Sequence, residues 1–548
     1  MIILGITSPI SEDNAACLLI DGKLIAMVEE ERLNGIKHAP RMAPDKAINF
    51  CLKKGNITLK DIDYIAVGFS HPNQVLIDNV KKKIIDNLHG KRSFRTFIGE
   101  IKYWVEHRVH FAKIKKYLKN AKVIYVRHHI AHAASSFYLS NFDKANIISL
   151  DGSGGQDAGL LGFGVDTKLT VLRYIDRQSS WGEMYERFTE KLGFKPHNDE
   201  GKVMALASYG KHYNKTFPFI DWNSTIPYIK RREFLKYLAQ TKARNENDPI
   251  TDEHKNLAAI LQYSLEKAVL KMSKFLYKKT GFTNLCLAGG IALNCALNGK
   301  LLQSDWVERI FVQPAANDAG TALGAAVAVY VQKTGQRPDI NFNHVYWGPE
   351  YGNEEIEECL KIAKVKYKKC DDICKEVAKL LANGKIVGWF QGKMEVGPRA
   401  LGNRSILATP CDESIRDMIN NRVKFREPWR PLAPSILAEY ASEYLENAYP
   451  SPFMILAFKV KKTKIKQIAG VVHVDGTCRP QTVERSVNPK FWQLINEFRK
   501  LTGIPLVLNT SFNLRGKPIV CTPREAIATF FSCGMDYLAI GDFLVYKS

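Results

Sequence analysis

The sequence contains no stretch of eighteen uncharged apolar residues, so no membrane span is expected. The opening MIILGITSPISEDNAACLLIDG lacks a basic segment followed by a long apolar one and reads as a first strand instead of a secretion signal. Eleven cysteines are scattered without the paired spacing of a zinc knuckle or the density of an extracellular framework. Reduced thiols in a cytoplasm are expected. Cys370 and Cys374 are four apart, a spacing that suits one helix face. No low-complexity linker is visible. No Ser-His-Asp or Cys-His arrangement stands out, so nothing points to a covalent acyl-enzyme. Acidic residues are few relative to basic ones: 56 against 78, a formal charge of +22.

What is present is a soluble composition, 45% hydrophobic and 24% charged, over 548 residues, which is too long for one ordinary core. Much of the positive excess lies between Lys81 and Lys122, alongside Phe94, Phe97, Tyr103, Trp104 and Phe111. Basic residues interleaved with aromatics can bind nucleic acid, but aromatics at helical spacing are more often core, so nucleic acid is not the expected partner.

The first strand, Ile2 to Thr7, leads to Ala15 to Ile20; Asp21-Gly22 is a hairpin signal, and Lys23 to Glu29 returns. A helix follows Pro44, then a strand near Ile65 to Phe69. The same order restarts about 145 residues later at NIISLDGSGGQ, with LLGFGV and LTVLRYI as the second hairpin. This echo predicts an actin-like (ASKHA) fold: two similar α/β lobes with a nucleotide between them. A helix from His254 to Thr280, the strand NLCLAGG, the strand RIFVQPA and a small-residue helix, Ala319 to Tyr330, complete the second lobe. The pattern breaks at Gln336 to Glu350, which divides the chain into domains 1–340 and 341–548. The second domain should be mixed α/β, with a helix around Cys374 to Asn383 and strands at KIVGWF, Pro431 to Leu437, Met454 to Val460 and Pro505 to Leu508.

His128 and His132, in HHIAH, would share one helix face a turn apart. Alone, that spacing is more often a packed or surface pair. Asp151 and Asp318 each sit at a strand-to-helix turn, and in an actin-like fold both turns face the cleft. Two imidazoles and two carboxylates suit Fe(II), Mn(II) or Zn(II) better than Mg(II). Gly152 and Gly154 in DGSGG, and Gly289 and Gly290 in AGGIALN, allow backbone N–H groups to approach a phosphate or adenosine.

Long motifs carry a resemblance. VEEERLNGIKH (Val28 to His38), HHIAHAASSFY, DGSGG, NDEGKVMALASYG (Asn198 to Gly210) and LAGGIALNCALNGK (Leu287 to Lys300) resemble the NodU/CmcH-type O-carbamoyltransferase family. So do FQGKMEVGPRALGNRSIL (Phe390 to Leu407), REPWRPLAPS (Arg426 to Ser435), HVDGTCRPQTV (His473 to Val483) and LNTSFNLRGKPIVCTP (Leu508 to Pro523). The resemblance covers nearly the whole chain. It implies a Kae1-like N-terminal domain followed by a YrdC-like C-terminal domain. It also implies ATP and carbamoyl phosphate as co-substrates, with Mg2+ accompanying ATP. Carbamoyl-adenylate would form in the second domain and be passed to a hydroxyl of a small molecule in the first.

On matching positions His128, His132, Asp151 and Asp318 would be metal ligands, Fe2+ foremost. Arg399, Lys424, Arg430, Arg479, Asn509 and Ser511 would line the adenylate-forming site, with Arg404 and Asn513 beside them. Lys202 and Asn294 fall in the central motifs and are taken as nucleotide contacts. Arg and Lys suit the chemistry because charge spreads over phosphoryl oxygens in the transition state. One departure is visible. The family's usual His-Asp pair after the first strand is here Glu12-Asp13, and a Glu is the weaker base at a reference pKa of about 4.3. Two other readings are a threonylcarbamoyl-type tRNA enzyme and a sugar-kinase-like nucleotide binder. The acceptor is left open by the sequence, as is the oligomeric state, a homodimer among the options.

Overall fold

The computed structural model describes residues 1–88, 95–119, 121–211 and 214–547, leaving aside the side chains of 82–88, 95–100 and 103. Two compact units result: Met1–Asn34 with His38–Phe342, and Gly35–Lys37 with Asn343–Ser548.

In the first unit, β1 (Ile2–Ile6), β2 (Ala15–Ile20) and β3 (Lys23–Glu29) form an antiparallel meander. Asp21 and Gly22 take φ of 48° and 79°, the left-handed pair that a tight hairpin requires. β4 (Tyr64–Val67) and β5 (Lys122–Tyr125) add in parallel on the other side of β1, giving the order β3-β2-β1-β4-β5. The second sheet repeats this plan. β6 (Lys144–Leu150) is central, β7 (Asp157–Val165) and β8 (Lys168–Asp176) form the antiparallel side, and β9 (Asn284–Ala288) and β10 (Arg309–Val312) the parallel side. The weak echo in the sequence is thus a duplicated sheet order.

Four helices position the site: α1 (His128–Phe137), α2 (Asp252–Thr280), α3 (Cys295–Leu302) and α4 (Gly320–Thr334). α4 is built from small residues because its neighbours come so close. A Cβ on Gly324 would lie 1.8 Å from the Ala131 carbonyl oxygen of α1, and one on Gly5 of β1 would lie 2.2 Å from the Ala322 oxygen. No helix among the described residues is long and apolar enough to cross a membrane. In the basic segment Phe111 is buried against His107 and Tyr125, as core. Phe94 and the side chains of Phe97 and Tyr103 lie outside the described residues.

The second unit is mixed α/β around one eight-stranded sheet. Its strands are β11 (Tyr367–Lys369), β12 (Val387–Phe390), β13 (Arg404–Ala408), β14 (Ala433–Leu437), β15 (Gln481–Val483), β16 (Leu506–Ser511), β17 (Tyr537–Ile540) and β18 (Phe543–Tyr546). They run in the order β11-β18-β17-β12-β13-β16-β14-β15. Helices α5 (Ile373–Ala382) and α6 (Pro489–Thr502) cover one core, where Trp389, Phe491 and Phe498 are fully buried. Each such side chain contributes roughly 1.5–3 kcal/mol.

Two expectations need correction. Cys370 and Cys374 share this core, but Cys370 precedes the first turn of α5, so they do not lie on one helix. The strand expected over Met454 to Val460 shrinks to Phe458–Lys459, because Met454 adopts a φ of 53° that no strand tolerates.

Candidate functional site

In the first unit the helical spacing of His128 and His132 brings their Nε2 atoms to 3.1 Å. Both rings are buried. Asp151 arrives from the end of β6, its Oδ2 3.2 Å from His132 Nε2 and 3.9 Å from His128 Nε2. Asp318, just before α4, places Oδ1 3.6 Å from His128 Nε2 and 4.0 Å from His132 Nε2. One donor atom from each of the four lies within 4.8 Å of all the others. An ion about 2.1 Å from each donor would separate neighbouring donors by roughly 3.0–3.4 Å and opposite ones by about 4.2 Å. The His–His and His–Asp distances, 3.1 to 4.0 Å, lie between those limits, and two imidazole nitrogens facing each other beside two carboxylates is the donor chemistry of a transition-metal site. The residues fit a divalent ion.

The surrounding backbone fixes these ligands. Gly152 N–H donates to Asp151 Oδ1 at 2.8 Å and Gly290 N–H to Asp151 Oδ2 at 3.1 Å, while Glu12 N–H donates to Asp318 Oδ2 at 3.1 Å. Two glycines are required by close approach. Gly289, at φ 84°, would drive a Cβ to 2.2 Å from the Leu150 oxygen, and a Cβ on Gly154 would lie 2.3 Å from His128 Cδ2. Burial pushes the Asp318 carboxyl up to about 7, and the like charge of Asp151 adds to this. Burial also works to raise Asp151, but hydrogen bonds from His128 and His132 outweigh it and hold the group well below the usual carboxylate range. Glu186 lies against the DGSGG turn, 3.4 Å from His197 Nδ1, and burial pushes it up to about 7.

Other residues read from the sequence are engaged locally. Lys202 pairs with Asp199 at 3.0 Å. Asn294 caps α3 by accepting from Leu297 N–H at 3.1 Å and donates to Gln262 of α2 at 2.9 Å. Asp13 accepts from His38 Nδ1 at 2.7 Å. His38, at the end of the VEEERLNGIKH motif, was not singled out by sequence reasoning, since no spacing rule links residues 25 apart.

In the second unit, Lys424 is buried and its Nζ is caged by oxygens: Ser511 O at 2.7 Å, Asn513 O at 2.9 Å, Asn513 Oδ1 at 2.5 Å and Ser511 Oγ at 3.2 Å. Burial, with Arg426 and Arg430 nearby, holds its pKa well below the usual lysine range. Burial likewise lowers Arg426, with Arg430 and Arg479 adding repulsion. Lys424, Arg426, Arg430 and Arg479 therefore concentrate positive charge. Arg404 is fully buried and donates to the carbonyls of Gln391, Gly392, Asn403 and Pro349, with its guanidinium 3.7 Å above the Phe390 ring. It clamps the loop between β12 and β13 that carries Arg399. Asn509 donates to Ser435 Oγ at 2.9 Å and to Ala400 O at 3.3 Å, which ties β16 to the same loop.

A residue that sequence reasoning passed over is Glu395. Its buried Oε1 accepts from the N–H groups of Leu401 at 2.8 Å, Asn403 at 2.8 Å and Arg404 at 3.0 Å. The signal was a lone carboxylate inside a Gly-rich basic motif.

Residues 2–327 match the family "Carbamoyltransferase N-terminus" and residues 378–547 match "Carbamoyltransferase C-terminus". Nodulation protein NolNO of Sinorhizobium fredii is 37% identical over 562 residues, covering 99% of this chain and 80% of that protein. Nodulation protein NolO of Bradyrhizobium diazoefficiens is 41% identical, over 77% of this chain and 79% of that one. The uncharacterized Synechocystis protein sll1178 is 35% identical over 100% of this chain and 97% of its own length. Among solved structures, full-length HypF in its phosphate- and nucleotide-bound form is 14% identical with a TM-score of 0.36, over 61% of this chain and 47% of that one, a likeness too distant to carry weight. With both family matches in place and the similarity to NolNO spanning 99% of its residues, this chain belongs to the carbamoyltransferase family and is a carbamoyltransferase.

Proposed function

We infer that the enzyme works in two stages, on a Kae1-like, actin-like domain (1–340) and a YrdC-like domain (341–548). The second domain makes carbamoyl-adenylate from carbamoyl phosphate and ATP. The first transfers the carbamoyl group to a hydroxyl of a small-molecule acceptor. The duplicated sheet order supports the actin-like reading. Atom balance asks water to release phosphate from carbamoyl phosphate; a carbamate oxygen then attacks the α-phosphorus of ATP, and pyrophosphate leaves.

One observation carries this division: a balanced donor set of two imidazoles and two carboxylates in one unit, and an excess of cations in the other. Arg399, Arg430 and Arg479 would hold the phosphates, with Mg2+ accompanying ATP. Lys424 would act by shaping the Ser511–Asn513 segment. His128, His132, Asp151 and Asp318 would hold the metal, with Fe2+ favoured over Mn2+ or Zn2+. When bound, the ion supplies positive charge that offsets the anion developing on departing AMP. Gly152 and Gly290 would serve the site by holding Asp151 through their N–H groups, and Gly154 and Gly289 by allowing the close packing around it.

The test is ATP–pyrophosphate exchange with and without carbamoyl phosphate. Exchange that depends on carbamoyl phosphate, and its loss in Arg399→Ala, is the expected result. Exchange indifferent to carbamoyl phosphate would sink the scheme.

A further inference from the structure

Carbamoyl transfer to an alcohol needs a group to take the hydroxyl proton, and a carboxylate is intrinsically a weaker base than an imidazole. An imidazole reaches the Glu12-Asp13 loop from elsewhere in the chain. The loop after β1 is held at the ligand cluster by Glu12 N–H on Asp318 Oδ2. The next residue, Asp13, grips His38 Nδ1 at 2.7 Å, and His38 Nε2 lies 3.1 Å from Asn198 Oδ1. Asn198 has its amide nitrogen on Asp199 Oδ1 at 2.7 Å, which sets the orientation of its carbonyl.

His38 is aimed at strained cost. It takes a φ of 65°, Ala39 47° and Arg41 56°, left-handed values that side-chain-bearing residues rarely adopt. Two hydrogen bonds brace the segment against the same loop, Asn14 Nδ2 to Ala39 O at 2.8 Å and Arg41 N–H to Ser11 O at 3.2 Å, and a third ties His38 N–H to Glu31 Oε2, just past β3, at 2.5 Å. The ring is not sealed in; 29% of the side chain is exposed. Both partners are acceptors, so the ring as it lies here donates from both nitrogens; Nε2 becomes an oriented base once the alcohol displaces the Asn198 carbonyl and the Nε2 proton is lost to water.

We propose that His38, oriented by Asp13, is the catalytic base that takes the proton from the attacking hydroxyl. This rests on the carbamoyl-adenylate reading above. The alcohol takes the place of Asn198 Oδ1 at Nε2. Its O–H proton passes to Nε2 as its oxygen bonds the carbamoyl carbon; the bond from that carbon to the phosphate oxygen breaks, and AMP departs with the electron pair. His38 then loses the proton to water. Water can serve as the hydroxyl when no alcohol is present, so AMP release from ATP and carbamoyl phosphate reports the same step.

The experiment compares the full-length enzyme with His38→Ala and His38→Asn. His38→Asn keeps an amide donor for Asp13, and with it the tie between loops, but supplies no base. Both variants should release AMP about a hundredfold more slowly while keeping carbamoyl-phosphate-dependent pyrophosphate exchange, and added imidazole should restore His38→Ala. AMP release by His38→Ala at the unaltered rate, recovery in His38→Asn, or a loss that imidazole leaves uncorrected would overturn the proposal. A failure of the underlying scheme would look different: no carbamoyl-phosphate-dependent exchange in the unaltered enzyme.

Discussion

The two candidate sites solve the charge problem in opposite ways. In the first unit, half-buried carboxylates and buried imidazoles face one another, and helix α1 and two Gly-rich turns hold them in place. In the second, cations crowd one another on irregular loops, and what fixes them is a framework of polar side chains behind them: Glu395 on three N–H groups, Arg404 on carbonyls, and Asn420 donating to Pro428 O and Arg430 O while accepting from Arg426. The first site is organised by the groups that would react; the second is organised by groups that would not. Damage should therefore read out as lost metal in one unit and as lost stability or loop order in the other.

The largest effect separates the sites outright. His128→Ala should drop bound metal, measured by elemental analysis, from about one equivalent to near zero and cut carbamoyl transfer by about a thousandfold or more, with exchange retained. Loss of both activities together would erase the distinction. Next, Glu395→Ala leaves three buried N–H groups without their acceptor and should lower unfolding free energy by about 3 kcal/mol, read from urea denaturation. Exchange should fall with it. Gly154→Ala is subtler: its Cβ must displace the His128 ring, and metal affinity should fall about tenfold while exchange is unchanged.

The smallest effect concerns pH. Glu186, held up to about 7, binds its proton more tightly folded than unfolded, so stability is greatest in acid and declines as pH rises from about 4.5 through 7. Glu186→Gln should flatten that decline, a difference on the order of 2 kcal/mol between the two ends. A parallel pH dependence in both proteins would show that Glu186 is not the group responsible.

Much of the first unit was legible in the sequence because its information is local. Asp21-Gly22 names its hairpin, and the spacing of His128 and His132 names their shared face. The second unit was read less fully. Tyr537–Ile540 and Phe543–Tyr546 form a hairpin around Gly541-Asp542, a signal as plain as the first but passed over among longer motifs. Met454 to Val460 has strand composition but a backbone that turns away. Lys424 reads as an anion ligand from its basic neighbourhood, because burial inside a cage of carbonyls leaves no mark on composition. His38 was hidden by distance along the chain, and its partners Asp13 and Asn198 lie 25 and 160 positions away.

The near-touching of α1 and α4 at Ala131 and Gly324 leaves no room for one helix to slide on the other. Backbone amides along 131–135 and 322–326 should consequently be among the last in the molecule to trade hydrogen for deuterium, opening only when the whole unit comes apart. The pair behaves as a single girder, and any motion accompanying turnover must be hinged elsewhere.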